Sequence, residues 1–265
     1  MTKRWDELRA DELECVDAAT HVAVLPVAAT EQHGPHLPTG TDAMILDGVL
    51  ARLPADERFV VLPTWRIGDS LEHVDLAGTL ELEPETLLAA WTSLGVAARR
   101  AGFRKLAIVN SHGGQHQLVD LVAQRLRARH RMFVARVNTF LLGTPEGLFP
   151  ADELRFGFHG GEVETSMMLA LRPDLVRMDA AQDFPTRARD LAGECALLGA
   201  EEPVGFAWQA QDLGASGATG DAASADAGRG EELLQHLAGR LAVLLSEVSA
   251  FPLERIVEPR PEAER

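Results

Sequence analysis

The sequence is short of cysteine and of basic residues. Its 2 cysteines, Cys15 and Cys195, lie far apart and in no CxxC spacing. This argues against a disulfide framework and against a zinc site built on cysteine. Lysine and arginine number 25 against 40 aspartates and glutamates, for a formal net charge of −15. A nucleic-acid partner is not expected, because binding to nucleic acid requires a large basic surface.

Long hydrophobic runs are also missing. The first residues, MTKRWDELRADELE, are charged from the start and lack an apolar signal core, and no run approaches the length that spans a bilayer. These observations predict a cytoplasmic protein without a membrane partner. Hydrophobic residues nevertheless make up 46% of the 265 residues. That is enough for a sizeable core, and we expect one α/β domain over residues 1–265.

Strand-like and helix-like segments alternate along the chain. Short apolar runs predict buried strands at 21–29, 59–63, 105–110 and 132–138, and amphipathic patterns predict helices at 43–53, 84–101, 117–130 and 231–248. This alternation predicts a three-layer α/β/α sandwich around a mostly parallel sheet, with ligands beyond the carboxyl ends of the strands. Residues 139–158 are expected to form a long loop, and residues 214–230 a flexible surface loop or lid.

The segment EQHGPHLPTGTD, residues 31–42, follows the first predicted strand and carries Glu31, His33, His36 and Asp42. Carboxylate oxygens and imidazole nitrogens are the ligands that zinc, manganese and similar ions prefer. The glycine and prolines prevent a regular helix here, so the loop can direct alternate side chains inward. The alternative interpretation is an ordinary hydrogen-bonded loop in which Asp42 caps the next helix.

Two further clusters follow later in the chain. Ser111 and His112 come directly after the strand at 105–110. His112 is either a metal ligand, a hydrogen-bonded loop histidine or part of a glycine turn that binds phosphate.

His159 and Glu164 lie where a helix begins in HGGEVETSMMLAL. Glu162 and Glu164 would point in different directions on a helix, so at most one should enter a shared site, and acidic residues there also compensate the helix dipole.

The segments LPVAATEQHGPHLPTGTD, GDSLEHVDLAGTL, VNSHGGQ, HGGEVETS and SGATGD resemble, in this order, the signature segments of the creatininase (creatinine amidohydrolase) family. The resemblance implies a creatininase-like fold, two divalent metal ions (Zn, Mn or Fe) and a homo-oligomer, with a hexamer favoured. It also implies that His159 transfers protons. His36 and His73 match family positions without an assigned role, and we expect them to orient other groups or to contact the substrate. The metal ligands that the resemblance implies are Glu31, His33, Asp42, His112 and Glu164.

The chain departs from the family pattern in the segment NSHGGQ. Ser111 and Gln115 stand where the family commonly has a glycine and an asparagine, which is expected to alter substrate contacts. Gly114 stands where creatininases proper carry a carboxylate, so creatinine is not the expected substrate. The stretch HGGEVETSMMLAL resembles the members that trim the mycofactocin precursor. A peptidase that removes a C-terminal dipeptide is therefore an alternative.

The predicted function is a dinuclear-metal amidohydrolase that cleaves a non-peptide or cyclic C–N amide bond of a small molecule with metal-bound hydroxide. In this hypothesis Asp42 bridges the ions, Glu31 and His112 complete one site, and His33 and Glu164 complete the other. A serine hydrolase and a nucleotide-binding protein are disfavoured because GxSxG, GxGxxG and GxxxxGK[ST] motifs are absent. A non-catalytic, metal-stabilised binding protein is a further alternative.

Overall fold

A parallel sheet forms the middle layer of the fold. The computed structural model describes residues 2–201 and 203–257. Within these residues the strands of the sheet are β1 (Lys3–Arg4), β2 (Val22–Val27), β3 (Phe59–Val61), β4 (Lys105–Asn110) and β5 (Phe133–Asn138). They pair in parallel in the order β1-β3-β2-β4-β5.

Helices cover both faces of this sheet. On one face, α2 (Thr41–Ala51), α6 (Glu162–Leu171) and α9 (Ala227–Ala250) pack with one set of strand side chains. On the other face, α3 (Pro84–Arg100) and α4 (His116–His130) pack with the opposite set. The predicted three-layer α/β/α sandwich is thereby confirmed. The helices are α1 (Ala10–Leu13), α2 (Thr41–Ala51), α3 (Pro84–Arg100), α4 (His116–His130), α5 (Ala151–Phe156), α6 (Glu162–Leu171), α7 (Arg187–Glu194), α8 (Ala210–Leu213) and α9 (Ala227–Ala250).

Strand β2 shows why the sheet is readable in the sequence. Val22 and Val24 pack into the layer of α2, α6 and α9, whereas Ala23 and Leu25 pack into the layer of α3 and α4. Successive side chains of a strand point to opposite faces. A strand covered on both faces must therefore be apolar at every position, and all of β2 is buried. No helix within the described part of the chain could cross a bilayer.

The prediction of a flexible loop or lid at residues 214–230 is wrong. Strand β7 (Gly220–Asp221) pairs with β6 (Asp183–Phe184) in an antiparallel ribbon, and α9 begins before the predicted loop ends. Ala218 and Thr219 are at most 2% exposed, and the Thr219 N–H donates to the His159 carbonyl at 2.8 Å. The small residues of this segment serve close packing against the site, because small side chains let backbones approach one another.

The long loop predicted at residues 139–158 is partly helical. It contains a 3-10 turn at Thr139–Leu141 and the short helix α5. Glu153 of α5 accepts hydrogen bonds from the backbone N–H groups of Glu162 at 2.7 Å and Asp221 at 2.9 Å. A helix this short depends on tertiary contacts, and these bonds tie α5 to the start of α6 and to β7.

The edge of the sheet where the strands end positions the candidate site. Val27 and Asn110, the last residues of β2 and β4, lie opposite one another in the paired strands. The loops that follow these strands therefore start side by side. Helix α6 begins close to this edge, because His159, three residues before the helix, contacts the loop after β2 through its Nε2, 2.7 Å from the Gln32 carbonyl oxygen.

Helices α6 and α9 pack closely at Gly230. Substitution of this glycine tests that packing. A Cβ at Gly230 would lie 1.9 Å from the carbonyl oxygen of Ser166, whereas a Cβ at Gly239 of the same helix meets nothing within 4 Å. We predict that Gly230→Ala lowers the free energy of unfolding by about 1–3 kcal/mol through overpacking. The matched variant Gly239→Ala should raise it by about 0.5–1 kcal/mol, because alanine favours helix more than glycine.

Urea denaturation of the two variants measures both free energies of unfolding. Equal effects of the two substitutions would contradict the close approach of α6 and α9.

Candidate metal centre

The loop after β2 holds Glu31 and His33 at the carboxyl edge of the sheet. The Glu31 N–H donates to the Thr39 carbonyl at 2.9 Å, which closes the loop. Gly34 lies inside it with a φ of +69°, a conformation that glycine adopts without strain. Both Glu31 and His33 are 1% exposed, so the loop turns its polar side chains inward.

Asp42 lies in the first turn of α2 and its side chain also points inward. The N-cap position of α2 belongs to Gly40, and no side-chain cap is formed. The alternative interpretation of Asp42 as the helix cap is therefore wrong. The Ser111 hydroxyl donates to the Asp42 carbonyl at 3.1 Å, which joins the start of α2 to the loop after β4.

His33 presents its Nε2 atom to two carboxylates. Its Nδ1 lies 3.0 Å from the Glu31 carbonyl oxygen; this oxygen can only accept, so Nδ1 carries the hydrogen. Nε2 lies 3.3 Å from Asp42 Oδ1 and 3.9 Å from Glu164 Oε2. The backbone of the loop thus selects which imidazole nitrogen faces the carboxylates.

His112 is oriented in the same way from the loop after β4. Its Nε2 lies 2.8 Å from the Asp69 carbonyl oxygen and donates to it. Its Nδ1 lies 3.2 Å from Glu31 Oε1 and 3.4 Å from Asp42 Oδ2. Asn110 holds this loop, since its side-chain amide donates to the His112 carbonyl at 2.7 Å.

Asp42 is common to two groups of potential metal-binding atoms. One group is Glu31, Asp42 and His112 and the other is His33, Asp42 and Glu164, with the ligand atoms of each group within 4.8 Å of one another. Asp42 Oδ2 and His33 Nε2 are buried without a hydrogen-bond partner. Leaving such atoms unpaired is costly unless a cation or proton satisfies them. This donor set of oxygen and imidazole nitrogen fits divalent cations such as zinc and manganese.

Gln32 orients the imidazole of His73 beside the centre. Its Oε1 accepts from the Gly34 N–H at 2.9 Å and its Nε2 donates to the Gly217 carbonyl at 2.8 Å, which sets the orientation of the amide. The same Nε2 lies 3.0 Å from His73 Nδ1. His73 Nδ1 is therefore an acceptor, and His73 Nε2, which lies 3.5 Å from Glu31 Oε1, carries the hydrogen.

His159 stacks on His73 with ring centroids 4.3 Å apart. Its Nε2 donates to the Gln32 carbonyl at 2.7 Å, so the lone pair is on Nδ1. That atom lies 3.8 Å from Glu31 Oε1. The two stacked rings thus offer the centre one hydrogen-bond acceptor, on His159, and one donor, on His73.

Glu164 enters the centre and Glu162 does not, in agreement with the helical spacing. Glu164 Oε2 accepts from the Gly160 N–H at 2.6 Å, which turns the carboxylate toward His33. Glu162 instead forms an ion pair with Arg229 of α9. Only one of the two acidic residues at the start of α6 is therefore available to a metal.

His36 lies outside this group of ligands. Its Nε2 is 2.9 Å from the Thr165 hydroxyl, and its ring packs against Phe184 with centroids 5.3 Å apart. Burial, with His33 nearby, lowers its pKa to about 4, so the ring is neutral. His36 braces α6 against β6.

Gln115 is a buried residue that supports the loop after β4, and it cannot touch a substrate. It is 0% exposed. Its side-chain amide donates to Asn110 Oδ1 at 2.9 Å, and its Oε1 accepts from the Asp69 N–H at 3.2 Å. These bonds join the two loops that orient His112. Gly114, in contrast, is exposed and lies next to Glu72 and His112.

Sequence reasoning missed Gln32, Glu72 and Ser70. Glu72 Oε1 lies 3.4 Å from His112 Nε2, and the Ser70 hydroxyl donates to Glu31 Oε2 at 2.5 Å. A weak signal existed, because Gln32 is between two predicted ligands and Glu72 directly precedes His73 in GDSLEHVDLAGTL. The sequence does not show that these side chains point inward.

The imidazoles and carboxylates of the centre form ion pairs in the metal-free protein. Burial opposes a charge on His33, but Asp42 beside it raises its pKa to about 10. Burial opposes a charge on His112 as well, yet Glu31 and Asp42 raise its pKa well above the usual value. In return, and against the effect of burial, His33 and His112 bring the pKa of Asp42 well below its usual range.

Three further groups of the centre, Glu164, His159 and His73, are shifted toward their neutral forms. Burial raises the pKa of Glu164 to about 7, although His33 opposes the shift. Burial and the neighbouring His33 lower the pKa of His159 to about 3. Burial and the stacked His159 lower the pKa of His73 to about 3. His159 and His73 are therefore neutral at pH 7.

Comparison with known proteins finds one family model over most of the chain. The creatininase model, described as creatinine amidohydrolase, matches residues 6–245. The mycofactocin precursor peptide peptidase of Mycolicibacterium smegmatis is 31% identical over 164 residues, which are 60% of this chain and 61% of that protein. The creatinine amidohydrolase of Pseudomonas putida is 30% identical over 197 residues, 68% of this chain and 74% of that protein. The matched region thus spans less than two thirds of the peptidase.

Solved structures extend the likeness to the fold of nearly the whole chain. The structure of creatininase Mn has a TM-score of 0.72 at 25% identity and covers 93% of this chain and 98% of that one. A mutant creatininase of the Zn-Zn type has the same TM-score, identity and coverage. Both agree with the three-layer architecture.

Metal uptake should release protons. His33 and His112 hold protons at neutral pH because their pKa values are raised, and ligands bind metal only when deprotonated. We expect about two to three protons released per loaded chain at pH 7, two from the imidazoles and part of one from Glu164, whose pKa of about 7 leaves it partly protonated. The metal affinity should rise as the pH increases through the range in which these groups lose their protons. Calorimetric Mn²⁺ titrations in buffers of different ionisation enthalpy measure this number.

His33→Ala should release fewer protons than the natural chain. His130→Ala, at the end of α4 and outside the centre, is the matched control and should change nothing. Metal uptake without proton release would contradict the ion pairing of the metal-free centre.

Proposed function

The chain belongs to the creatinine amidohydrolase family, and from this premise we propose that it is a metal-dependent hydrolase that cleaves a C–N amide bond of a small molecule. The family predicted from the sequence motifs is confirmed. The observation that carries the proposal is the buried Asp42 carboxylate, shared by two groups of ligand atoms. The single-domain organisation, the cytoplasmic location and the homo-oligomeric assembly stay predictions.

Two divalent ions are the cofactor that we propose for this centre. Glu31 and His112 would hold one ion, His33 and Glu164 the other, and Asp42 would contact both. The likeness to creatininases of the Mn and Zn-Zn types supports zinc or manganese, and iron suits the same ligands. Divalent ions at such a centre lower the pKa of water and polarise the carbonyl oxygen of an amide.

His159 is the residue that we assign to proton transfer. Amide cleavage needs a proton donor for the departing nitrogen, which is otherwise a poor leaving group. The Gln32 carbonyl keeps the hydrogen of His159 on Nε2, so its Nδ1 lone pair faces the centre. His159 can take a proton there from the attacking water and pass it to the nitrogen, because the ring is neutral at pH 7.

His73 contributes a fixed donor on the same side. The Gln32 amide occupies its Nδ1, so the Nε2 hydrogen points to the centre and toward Glu31. A neutral, buried donor of this kind can orient a carboxylate ligand or a substrate oxygen without itself binding metal. The stacked pair therefore divides its tasks, His159 accepting and His73 donating.

Substitutions at Asp42 and His159 separate metal binding from proton transfer. Asp42→Asn should lose most metal at both positions, because the shared carboxylate is removed. His159→Ala should keep both ions and lower kcat by about 100-fold or more, the usual contribution of a general acid–base group. Metal content measured by mass spectrometry, together with turnover, distinguishes the two variants.

Full metal content in Asp42→Asn would contradict the shared-ligand assignment. Unchanged turnover in His159→Ala would remove that residue from proton transfer.

A peptidase is the second candidate function. The relatives named mycofactocin precursor peptide peptidase include the protein of Mycobacterium tuberculosis, which is 33% identical over 166 residues, 59% of this chain and 61% of that protein. Gly114 also distinguishes this chain from creatininases proper, which carry a carboxylate at this position. Both candidates break a C–N bond, so the centre serves either.

A substrate panel decides between the candidates. Protein loaded with Mn²⁺ or Zn²⁺ is assayed against creatinine, other cyclic amides, formamides and peptides from which a C-terminal dipeptide can be released. Metal-loaded His159→Ala is the control. We expect turnover of a small non-peptide amide. Preferential release of a dipeptide would establish the peptidase instead, and no turnover of any amide would favour a non-catalytic metal-binding protein.

A further inference from the structure

Glu72 is a carboxylate at the centre that the five predicted ligands do not include. It lies in the 3-10 turn Leu71–His73, and its side chain is 16% exposed. Its Oε1 is 3.4 Å from His112 Nε2 and 4.0 Å from His73 Nε2. Among the described residues, no lysine or arginine forms an ion pair with it. Glu72 is thus a largely buried carboxylate whose one positively charged neighbour among the described residues is the His112 imidazole.

Orienting His112 does not account for the position of Glu72. The hydrogen on His112 Nε2 is already accepted by the Asp69 carbonyl at 2.8 Å, a normal hydrogen-bond distance. Glu72 Oε1 lies farther from the same nitrogen, at 3.4 Å. A carboxylate oxygen of Glu72 also lies within 4.8 Å of one of Glu31. Gathering carboxylates in a buried place is unfavourable unless a cation offsets their repulsion.

Gly114 leaves the space that the Glu72 carboxylate occupies. A Cβ at Gly114 would lie 1.9 Å from Glu72 Oε1 and 2.7 Å from His112 Nε2. No side chain at position 114 could coexist with Glu72 in its present place. The departure of this chain from the creatininase pattern at Gly114 is therefore matched by a carboxylate that arrives from a different loop.

The ligand atoms of Glu31, Glu72 and His73 lie within 4.8 Å of one another. Glu31 also belongs to the group that contains the buried Oδ2 of Asp42, which has no hydrogen-bond partner. We propose that Glu72 is a further ligand of the cation that Glu31 and His112 hold, and that it supplies the carboxylate which position 114 lacks. This inference rests on the proposed function, since it needs a cation at that position.

Metal titration of the Glu72→Gln variant tests the inference. Glutamine keeps the shape of the side chain but is a poor ligand. In calorimetric Mn²⁺ titrations of metal-free protein we expect two binding events for the natural chain. In Glu72→Gln one event should weaken by about 10–100-fold and the other should stay unchanged. Glu85→Gln, an exposed residue in the first turn of α3, removes the same charge outside the centre and should bind like the natural chain.

Cobalt spectroscopy tests whether the set of ligands changes in Glu72→Gln. With Co²⁺ at saturating concentration, the visible absorption bands of Glu72→Gln should differ from those of the natural chain, because the bands report the number and type of ligands. Identical bands, or two unweakened Mn²⁺ binding events in Glu72→Gln, would overturn the inference and leave the proposed function intact. No binding of either ion by the natural chain would overturn both.

Discussion

The site depends on one buried carboxylate, Asp42, held between two imidazoles. Taking a carboxylate out of water is expensive, and the cost is recovered only by an opposite charge or by hydrogen bonds. His33 Nε2 at 3.3 Å and His112 Nδ1 at 3.4 Å provide that charge from two different loops. Either a proton on each imidazole or a cation between them satisfies this requirement for opposite charge. The fold therefore carries a centre whose stable states are protonated or metal-bound.

Backbone carbonyls control the chemistry of the histidines. The carbonyls of Glu31, Asp69 and Gln32 each accept a hydrogen from one imidazole nitrogen, of His33, His112 and His159 respectively. In each case the other nitrogen faces the centre. A bond of this kind sets which nitrogen can bind metal or a proton. The segments after β2 and β3 thus orient the imidazoles, and their irregular backbones are part of the site.

In the proposed function, the centre determines the kind of bond that is cleaved, and its surroundings determine the substrate. Gly114 belongs to these surroundings: it is exposed, and a Cβ at this position would lie 1.9 Å from Glu72 Oε1. A side chain at position 114 would therefore require Glu72 to move. The relatives include proteins named for a cyclic amide and for a peptide, so the surroundings are where we expect the choice of substrate to be made.

Much of this protein was determined by the sequence alone. Strand β2 is apolar at every position and β4 is apolar between Lys105 and Asn110, because both faces of the sheet are covered. The polar clusters are recognisable because each directly follows a strand or begins a helix. Only the tertiary structure decided which side chains converge, since Glu72 and Gln32 carry no local pattern that shows their direction. It also decided that residues 214–230 pack against the site, because small residues are equally typical of flexible loops and of close packing. Convergence depends on distances between segments far apart in the chain, and no local pattern contains those distances.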